Sequence, residues 1–118
     1  KYAHINSKGD VEPCVFCHFA THNIHDYSLK EALNSPLFQA IKAKIPYDQN
    51  LYRPCMLVDH PEVGREMALN HGAYFTHEGA DCIFTDLADE MDEFAEAYKS
   101  FAEPAWQEFS QPKHSQGE

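Results

Sequence analysis

The sequence predicts a small α+β fold in which an N-terminal β-hairpin is followed by three or four short helices. Residues 2–6 alternate apolar and polar side chains, residues 7–10 are typical of a turn, and residues 11–13 form a second extended segment. Further along the chain, apolar residues recur at intervals of three and four, which is the helical period. The predicted hairpin therefore ends directly before residue 14.

Two short helices are predicted after the hairpin. Ser28 is followed three residues later by Glu31, a capping-box pattern that begins a helix over residues 28–33. Ser35 and Pro36 are typical N-cap and first-turn residues of a second helix. The apolar stripe of this second helix consists of Leu37, Ile41 and Ile45.

A third helix is predicted over residues 61–71, with Asp59 or His60 as its cap and Pro61 as its first residue. Gly72 follows the helix as a typical C-terminal cap. Residues 73–80 are predicted to form a loop.

The last helix has the strongest pattern, because large apolar side chains recur along one face and are expected to form core or an interface. Pro104 is expected to break or kink this helix. Residues 1–110 are predicted to form one domain, and residues 111–118 a polar, disordered tail. The apolar positions of the last helix are Leu87, Met91, Phe94, Tyr98 and Phe101.

Composition limits the classes of partner. The chain has 118 residues, of which 43% are hydrophobic and 24% charged, as is typical of one globular domain. Its net charge is −10, and residues 60–118 account for it with 3 basic and 13 acidic side chains. Because such a surface repels phosphates, neither nucleic acid nor an anionic membrane is expected as a partner. The sequence contains no run of about 18 apolar residues, so no membrane span is predicted.

Four cysteines, at positions 14, 17, 55 and 82, are the main candidates for chemistry. The chain is not dense in cysteine and shows no secretory signal, so we expect reduced thiols and a cytoplasmic location. Two residues separate Cys14 from Cys17, a spacing that lets both thiolates reach one metal ion or cluster. The alternatives for this pair are a redox couple or simply buried thiols.

Cys55 is predicted as a third ligand, and His18 as an additional candidate metal ligand. Cys82 is interpreted as a small apolar filler. A structural zinc site and an iron–sulfur cluster both suit these donors. No catalytic residue is assigned, because the pairs 59–60 and 77–78, each a His with an acidic residue, lack a nucleophile and suit caps and turns.

Residues 9–14 have the form G-x4-C and follow a predicted strand. This stretch resembles the start of the C-terminal auxiliary-cluster region of radical S-adenosylmethionine (SAM) proteins, the SPASM or twitch type. The resemblance extends over residues 2–109. The other stretches that carry it are residues 12–16, 28–36, 51–55 and 59–63.

The resemblance implies an auxiliary domain that binds a [4Fe–4S] cluster in a radical SAM oxidoreductase, where it relays electrons or positions substrate. Cys14 matches the cysteine of the motif, Cys17 and Cys55 suit further ligands, and Cys82 has no counterpart. The family also has a cysteine ahead of the glycine, which would fall before Lys1. A structural zinc module without a redox role is the alternative.

The radical SAM signature C-x3-C-x2-C does not occur in the chain. The resemblance therefore assigns SAM and the catalysis to a core domain outside this sequence, and we expect the chain alone not to catalyse a reaction. The expected partners are that core domain and, for the isolated chain, a second copy.

Overall fold

The computed structural model describes residues 3–111, which form short antiparallel strands and four helices. The α+β prediction is therefore confirmed, while residues 112–118 of the predicted tail lie outside the described part. No helix within residues 3–111 combines the length and apolar character needed to cross a bilayer. The strands are β1 His4–Ile5, β2 Val11–Glu12, β3 Phe19–Ala20 and β4 Tyr74–Phe75. The helices are α1 Leu29–Leu33, α2 Pro36–Lys44, α3 Pro61–Asn70 and α4 Ala88–Ser110, with a 3-10 helix at Ala80–Phe84.

Strands β1 and β2 form the predicted hairpin, in which His4 lies opposite Glu12. Gly9 lies in the connecting turn with φ of 94°, a conformation that residues with a Cβ rarely adopt. A Cβ there would also lie 2.9 Å from Oδ1 of Asn23. The hairpin turn therefore requires glycine for both conformation and space.

A second strand pair joins β3 to β4, so the prediction that residues 73–80 are entirely loop is wrong. Phe19 lies opposite Phe75, and the N–H of Thr76 donates to the carbonyl of His18 at 3.0 Å. Two-residue strands are too short to show an alternating pattern, which explains why the sequence did not indicate β4. This pair links the segment after Cys17 to the segment after α3.

The caps of α1 and α2 are as predicted. The hydroxyl of Ser28 accepts from the N–H of Glu31 at 3.1 Å, and the Glu31 carboxylate accepts from the N–H of Ser28 at 2.8 Å. Leu37 and Ile41 of the predicted stripe are buried, but Ile45 is exposed because α2 ends one residue before it. Ile45 was therefore wrongly assigned to the buried stripe.

Helix α3 begins at Pro61 as predicted, but His60 occupies the N-cap position without a capping hydrogen bond from its side chain. The helix ends at Asn70, one residue earlier than predicted. Its contact with the loop that holds Cys55 depends on Gly64. The N–H of Gly64 donates to the carbonyl of Met56 at 3.0 Å, and a Cβ on Gly64 would lie 2.6 Å from that oxygen.

Helix α4 continues through Pro104, so of the predicted break or kink the break does not occur. Its buried residues are Ala95 and Ala102, which are seven positions apart and share one face. The predicted stripe instead contains exposed aromatic residues, because Phe94 is 56% and Phe101 74% exposed. Of the two roles predicted for the aromatic stripe, core or interface, the core role is wrong for Phe94 and Phe101.

Asp10 closes the hairpin onto β4. Its carboxylate accepts hydrogen bonds from the Tyr74 hydroxyl at 2.7 Å, from Asn6 at 3.0 Å and from Asn23 at 3.1 Å. Burial opposes ionisation of Asp10, yet these three donors together hold its pKa below the ordinary value of 3.8. The ionised carboxylate is therefore part of the folded structure.

We predict that Gly64→Ala destabilises the fold by about 1–3 kcal/mol, the usual cost of overpacking. Alanine normally gains about 1 kcal/mol over glycine inside a helix, but here its Cβ meets a fixed backbone oxygen. Urea denaturation measures the change. Leu69→Ala, at an exposed position of the same helix, is the control and is expected to change stability by less than about 0.5 kcal/mol. A stabilised Gly64→Ala variant would contradict the described contact.

We predict that Asp10→Asn lowers the free energy of unfolding by about 1.5–3 kcal/mol at pH 7, the range for hydrogen bonds to a charged group. Because the pKa of Asp10 is lowered on folding, its contribution is present above pH 3.8 and is lost as the pH falls through the folded value. Denaturation of both proteins at pH 7 and near pH 3 tests this. A difference between them that does not shrink in acid would be inconsistent with the lowered pKa.

Candidate metal centre

The CxxC segment forms the turn between β2 and β3. The N–H of Cys17 donates to the carbonyl of Cys14 at 2.9 Å, which closes the turn and keeps the two residues together. Cys17 is only 2% exposed, whereas Cys14 is partly buried. The hairpin therefore ends in a pair of cysteines, one inside the core and one at its edge.

The third cysteine, Cys55, lies in a loop closed by its own hydrogen bonds. The N–H of Cys55 donates to the Asp59 carboxylate at 2.9 Å, and the N–H groups of Asp59 and His60 donate to the Cys55 carbonyl at 3.1 and 3.0 Å. The N–H groups of Leu57 and Val58 each lie 3.4 Å from the Cys55 sulfur, to which they donate. The loop therefore presents its sulfur with two donors already directed at it.

The main hydrophobic core brings the two cysteine segments together. Cys17 is one of its buried members, and Cys14 and Cys55 pack against it as partly buried residues. Burial raises the pKa of the Cys17 thiol, and the nearby Cys14 and Cys55 thiols raise it further. Three sulfurs from two distant parts of the chain thus lie within electrostatic reach of one another. The other buried members of this core are Phe19, Leu37, Ile41, Met56, Leu57, Val63, Met67 and Ala68.

Tyr47 is a site residue that the sequence did not indicate. It packs against the same core, and burial raises the pKa of its phenol to about 12, with further contributions from Cys17, Cys55 and Cys14. Its ring centroid lies 5.9 Å from that of His60. A lone tyrosine after a proline carries no sequence signal for such a position, because only the tertiary fold brings it to the cysteines.

The described contacts of His18 lie on the side of β2 and β4. Its Nδ1 is 3.8 Å from a carboxylate oxygen of Glu12, and its ring centroid is 4.7 Å from that of His77.

Cys82 lies partly buried in the 3-10 helix, where its N–H donates to the Gly79 carbonyl at 3.1 Å. Phe19 belongs to the core beside Cys17, but Phe16 is largely exposed.

Arg53 and Asp59 hold the Cys55 loop from outside. The Arg53 guanidinium is buried. It donates to the Asp48 carboxylate at 2.7 Å and to the Asp59 carbonyl at 2.9 Å. Asp59 therefore secures the loop, and its carboxylate does not cap α3. A cleft of about 460 Å³ opens beside this loop, between α3 and α4, and Tyr47 and Arg53 are among its lining residues.

The donor set fits a thiolate-held inorganic centre, with three cysteine sulfurs and two N–H groups that donate to one of them. Within residues 3–111, no group of three or more His, Cys, Asp or Glu side chains is already arranged around one metal-ion position. A cluster binds each thiolate through a different iron atom, so its sulfurs need not converge on a single point. All four cysteines are free thiols.

Comparison with known proteins gives one match. No curated protein and no solved structure is significantly similar to the chain. The family model that matches is SPASM, described as an iron-sulfur cluster-binding domain, and it covers residues 1–57. The matched range contains the hairpin, the CxxC turn and Cys55. Over its N-terminal 57 residues the chain is therefore similar to the SPASM domain, and this similarity indicates iron–sulfur cluster binding.

Proposed function

We propose that this protein is the auxiliary-cluster domain of a radical SAM oxidoreductase and that Cys14, Cys17 and Cys55 bind its [4Fe–4S] cluster. The observation that carries the proposal is the meeting of these three thiols at one core, inside the range that matches an iron–sulfur domain. A bound cluster of this kind supplies one-electron transfer.

Hydrogen bonds to the Cys55 sulfur and the burial of Cys17 are more specific support for a cluster than the presence of cysteines alone. Hydrogen bonds to ligand sulfurs and burial around them set the reduction potential of such clusters. The N–H groups of Leu57 and Val58 are such donors to Cys55, and Cys17 is almost fully buried. The similarity to an iron–sulfur domain also favours a cluster over the zinc alternative.

Three thiolates leave one iron of a four-iron cluster for a ligand outside this set. A further protein ligand there suits electron relay, whereas an open iron suits substrate positioning. The cleft beside the Cys55 loop supports the second role, because Tyr47 borders both the cleft and the three cysteines. His18 remains a candidate outer ligand. Free thiols and cluster chemistry both suit a reducing compartment, and we propose the cytoplasm.

We further propose that the exposed aromatic face of α4 contacts the radical SAM core domain. Phe94 and Phe101 are seven residues apart, so they lie on one side of the helix, and both are mostly exposed. Exposed apolar patches of this kind mark interaction sites. In the isolated chain, a second copy is the available occupant.

We predict that Cys14→Ala, Cys17→Ala and Cys55→Ala each lose stoichiometric iron and sulfide after anaerobic reconstitution of the chain. Each substitution removes one thiolate ligand, whereas Cys82→Ala removes a sulfur outside the set and is expected to load like the wild type. Iron and sulfide analysis with visible absorption measures loading, and circular dichroism of the apo proteins checks the fold. Equal loading in all four variants, or a colourless wild type that retains only zinc, would refute the cluster assignment.

We predict that the isolated chain dimerises through α4 and that the double variant Phe94→Glu/Phe101→Glu is monomeric. Acidic side chains outnumber basic ones along this helix, so screening their repulsion by salt is expected to strengthen the dimer. Light scattering at several protein and salt concentrations measures the mass. Leu69→Glu, at an exposed position of α3, is the matched control. A strictly monomeric wild type would argue against this face as an interface.

A further inference from the structure

The cleft between α3 and α4 is lined by two arginine side chains whose hydrogen-bonding capacity is only partly used. Arg53 and Arg65 are the two arginines of the chain, and both line the cleft. The side chain of Arg53 is 8% exposed and that of Arg65 is 26% exposed. Within residues 3–111, the Nε atom of each is buried and has no hydrogen-bond partner. The fold therefore leaves one buried N–H donor on each guanidinium group.

Other nitrogens of these side chains do have partners, which hold both guanidinium groups in place. Arg53 donates to the Asp48 carboxylate at 2.7 Å and to the Asp59 carbonyl at 2.9 Å. Nη2 of Arg65 donates to the Asp92 carboxylate of α4 at 3.0 Å. Buried polar groups nearly always have a partner, and a buried donor without an acceptor is costly. Because both side chains line the cleft, a molecule bound in the cleft is the acceptor that would complete them.

A carboxylate is the acceptor that suits these donors. It accepts two parallel hydrogen bonds from one edge of a guanidinium group. Phosphate also accepts such bonds, but the cleft has five acidic and three basic lining side chains, so it repels a dianion more strongly than a monoanion. The acidic lining residues are Asp48, Asp59, Glu62, Asp92 and Glu96, and the basic ones are Arg53, Arg65 and Lys99.

The acidic surplus also favours a positive group on the same ligand. Asp92, Glu96 and Lys99 are spaced by four and three residues, so they lie on one face of α4. Asp92 pairs with Arg65. The side chains of Glu96 and Lys99 form no hydrogen bond or ion pair with another residue in the described part of the chain. A ligand that carries one carboxylate and one ammonium group complements this arrangement of charges.

We propose that this cleft binds a free amino acid, with its carboxylate on the guanidinium groups of Arg53 and Arg65 and its ammonium group beside Glu96. The inference rests on the proposed function, because it names the class of substrate that the domain positions beside its cluster. The volume of the cleft, about 460 Å³, lies within the range of small-molecule sites.

Titration calorimetry of the reconstituted chain with L-alanine tests the inference, and propionate, ethylamine and inorganic phosphate are the comparison probes. Propionate lacks the ammonium group of alanine, ethylamine lacks its carboxylate, and phosphate supplies a dianion. We expect L-alanine to bind saturably and each comparison probe to bind about tenfold more weakly or worse, the effect of losing one charge-assisted hydrogen bond. Propionate or phosphate that binds as tightly as L-alanine, or L-alanine that does not bind, would overturn the inference.

Arg65→Gln is the test variant, and Lys44→Gln is its matched control. Each substitution removes a cation that pairs with an acidic residue of a neighbouring helix, Asp92 for Arg65 and Glu66 for Lys44. Lys44 is not among the described residues that line the cleft. We expect Arg65→Gln to weaken L-alanine binding by about tenfold or more and Lys44→Gln to bind like the wild type. Equal affinities in the two variants would contradict the proposed site.

Nuclear magnetic resonance of the ¹⁵N-labelled chain tests Arg53 without a substitution at this buried position. Two arginines give two Nε–H signals, and Arg65→Gln identifies which is which. We expect both signals to shift saturably with L-alanine, and an Arg53 signal that does not move would overturn its role. Iron and sulfide analysis before the titration separates the two failures. A chain that loads no cluster refutes the proposed function, whereas a loaded chain that does not bind L-alanine overturns this inference alone.

Discussion

Contact between the CxxC turn and the Cys55 loop across one small core is the constraint on which the rest of the structure depends. Cys17 is part of that core, and Cys14 and Cys55 close over its edge. The hairpin places the turn, and α3 places the loop through the contact of Gly64 with the Met56 carbonyl. Elements that are separately too short to be stable thus converge on the same three sulfurs.

Charge is distributed unevenly around this centre. The Cys55 sulfur receives two backbone N–H donors, whereas a buried carboxylate lies on the side of the hairpin. Donors to sulfur favour the reduced state of a cluster, and nearby negative charge favours the oxidised state. The two features lie on separate segments, so mutation can change each of them independently.

Local chemistry made part of this fold predictable from sequence. The Ser28 capping box and the Gly9 turn depend on neighbouring residues alone, so short motifs were sufficient to predict them. The pairing of Phe19 with Phe75 joins residues far apart in the chain, and strands of two residues carry no alternation. In α4 the apolar pattern predicted the helix but not its buried face. That face contains Ala95 and Ala102, whereas the pattern indicated larger residues.

The candidate site was likewise only partly predictable from the sequence. The spacing of Cys14 and Cys17 indicated them as a candidate ligand pair, and Cys55 was predicted as a third ligand from the sequence before the resemblance was considered. Tyr47 and the anchoring role of Asp59 were not predictable, because each depends on a contact that only the folded chain creates. Phe16, which lies between the two cysteines of the CxxC turn, is largely exposed.

The most direct test of the central claim is a crystal structure of the anaerobically reconstituted chain, with anomalous diffraction recorded at the iron absorption edge. The account predicts strong iron peaks bonded to the sulfurs of Cys14, Cys17 and Cys55. A loaded protein whose iron lies away from these three sulfurs would contradict it.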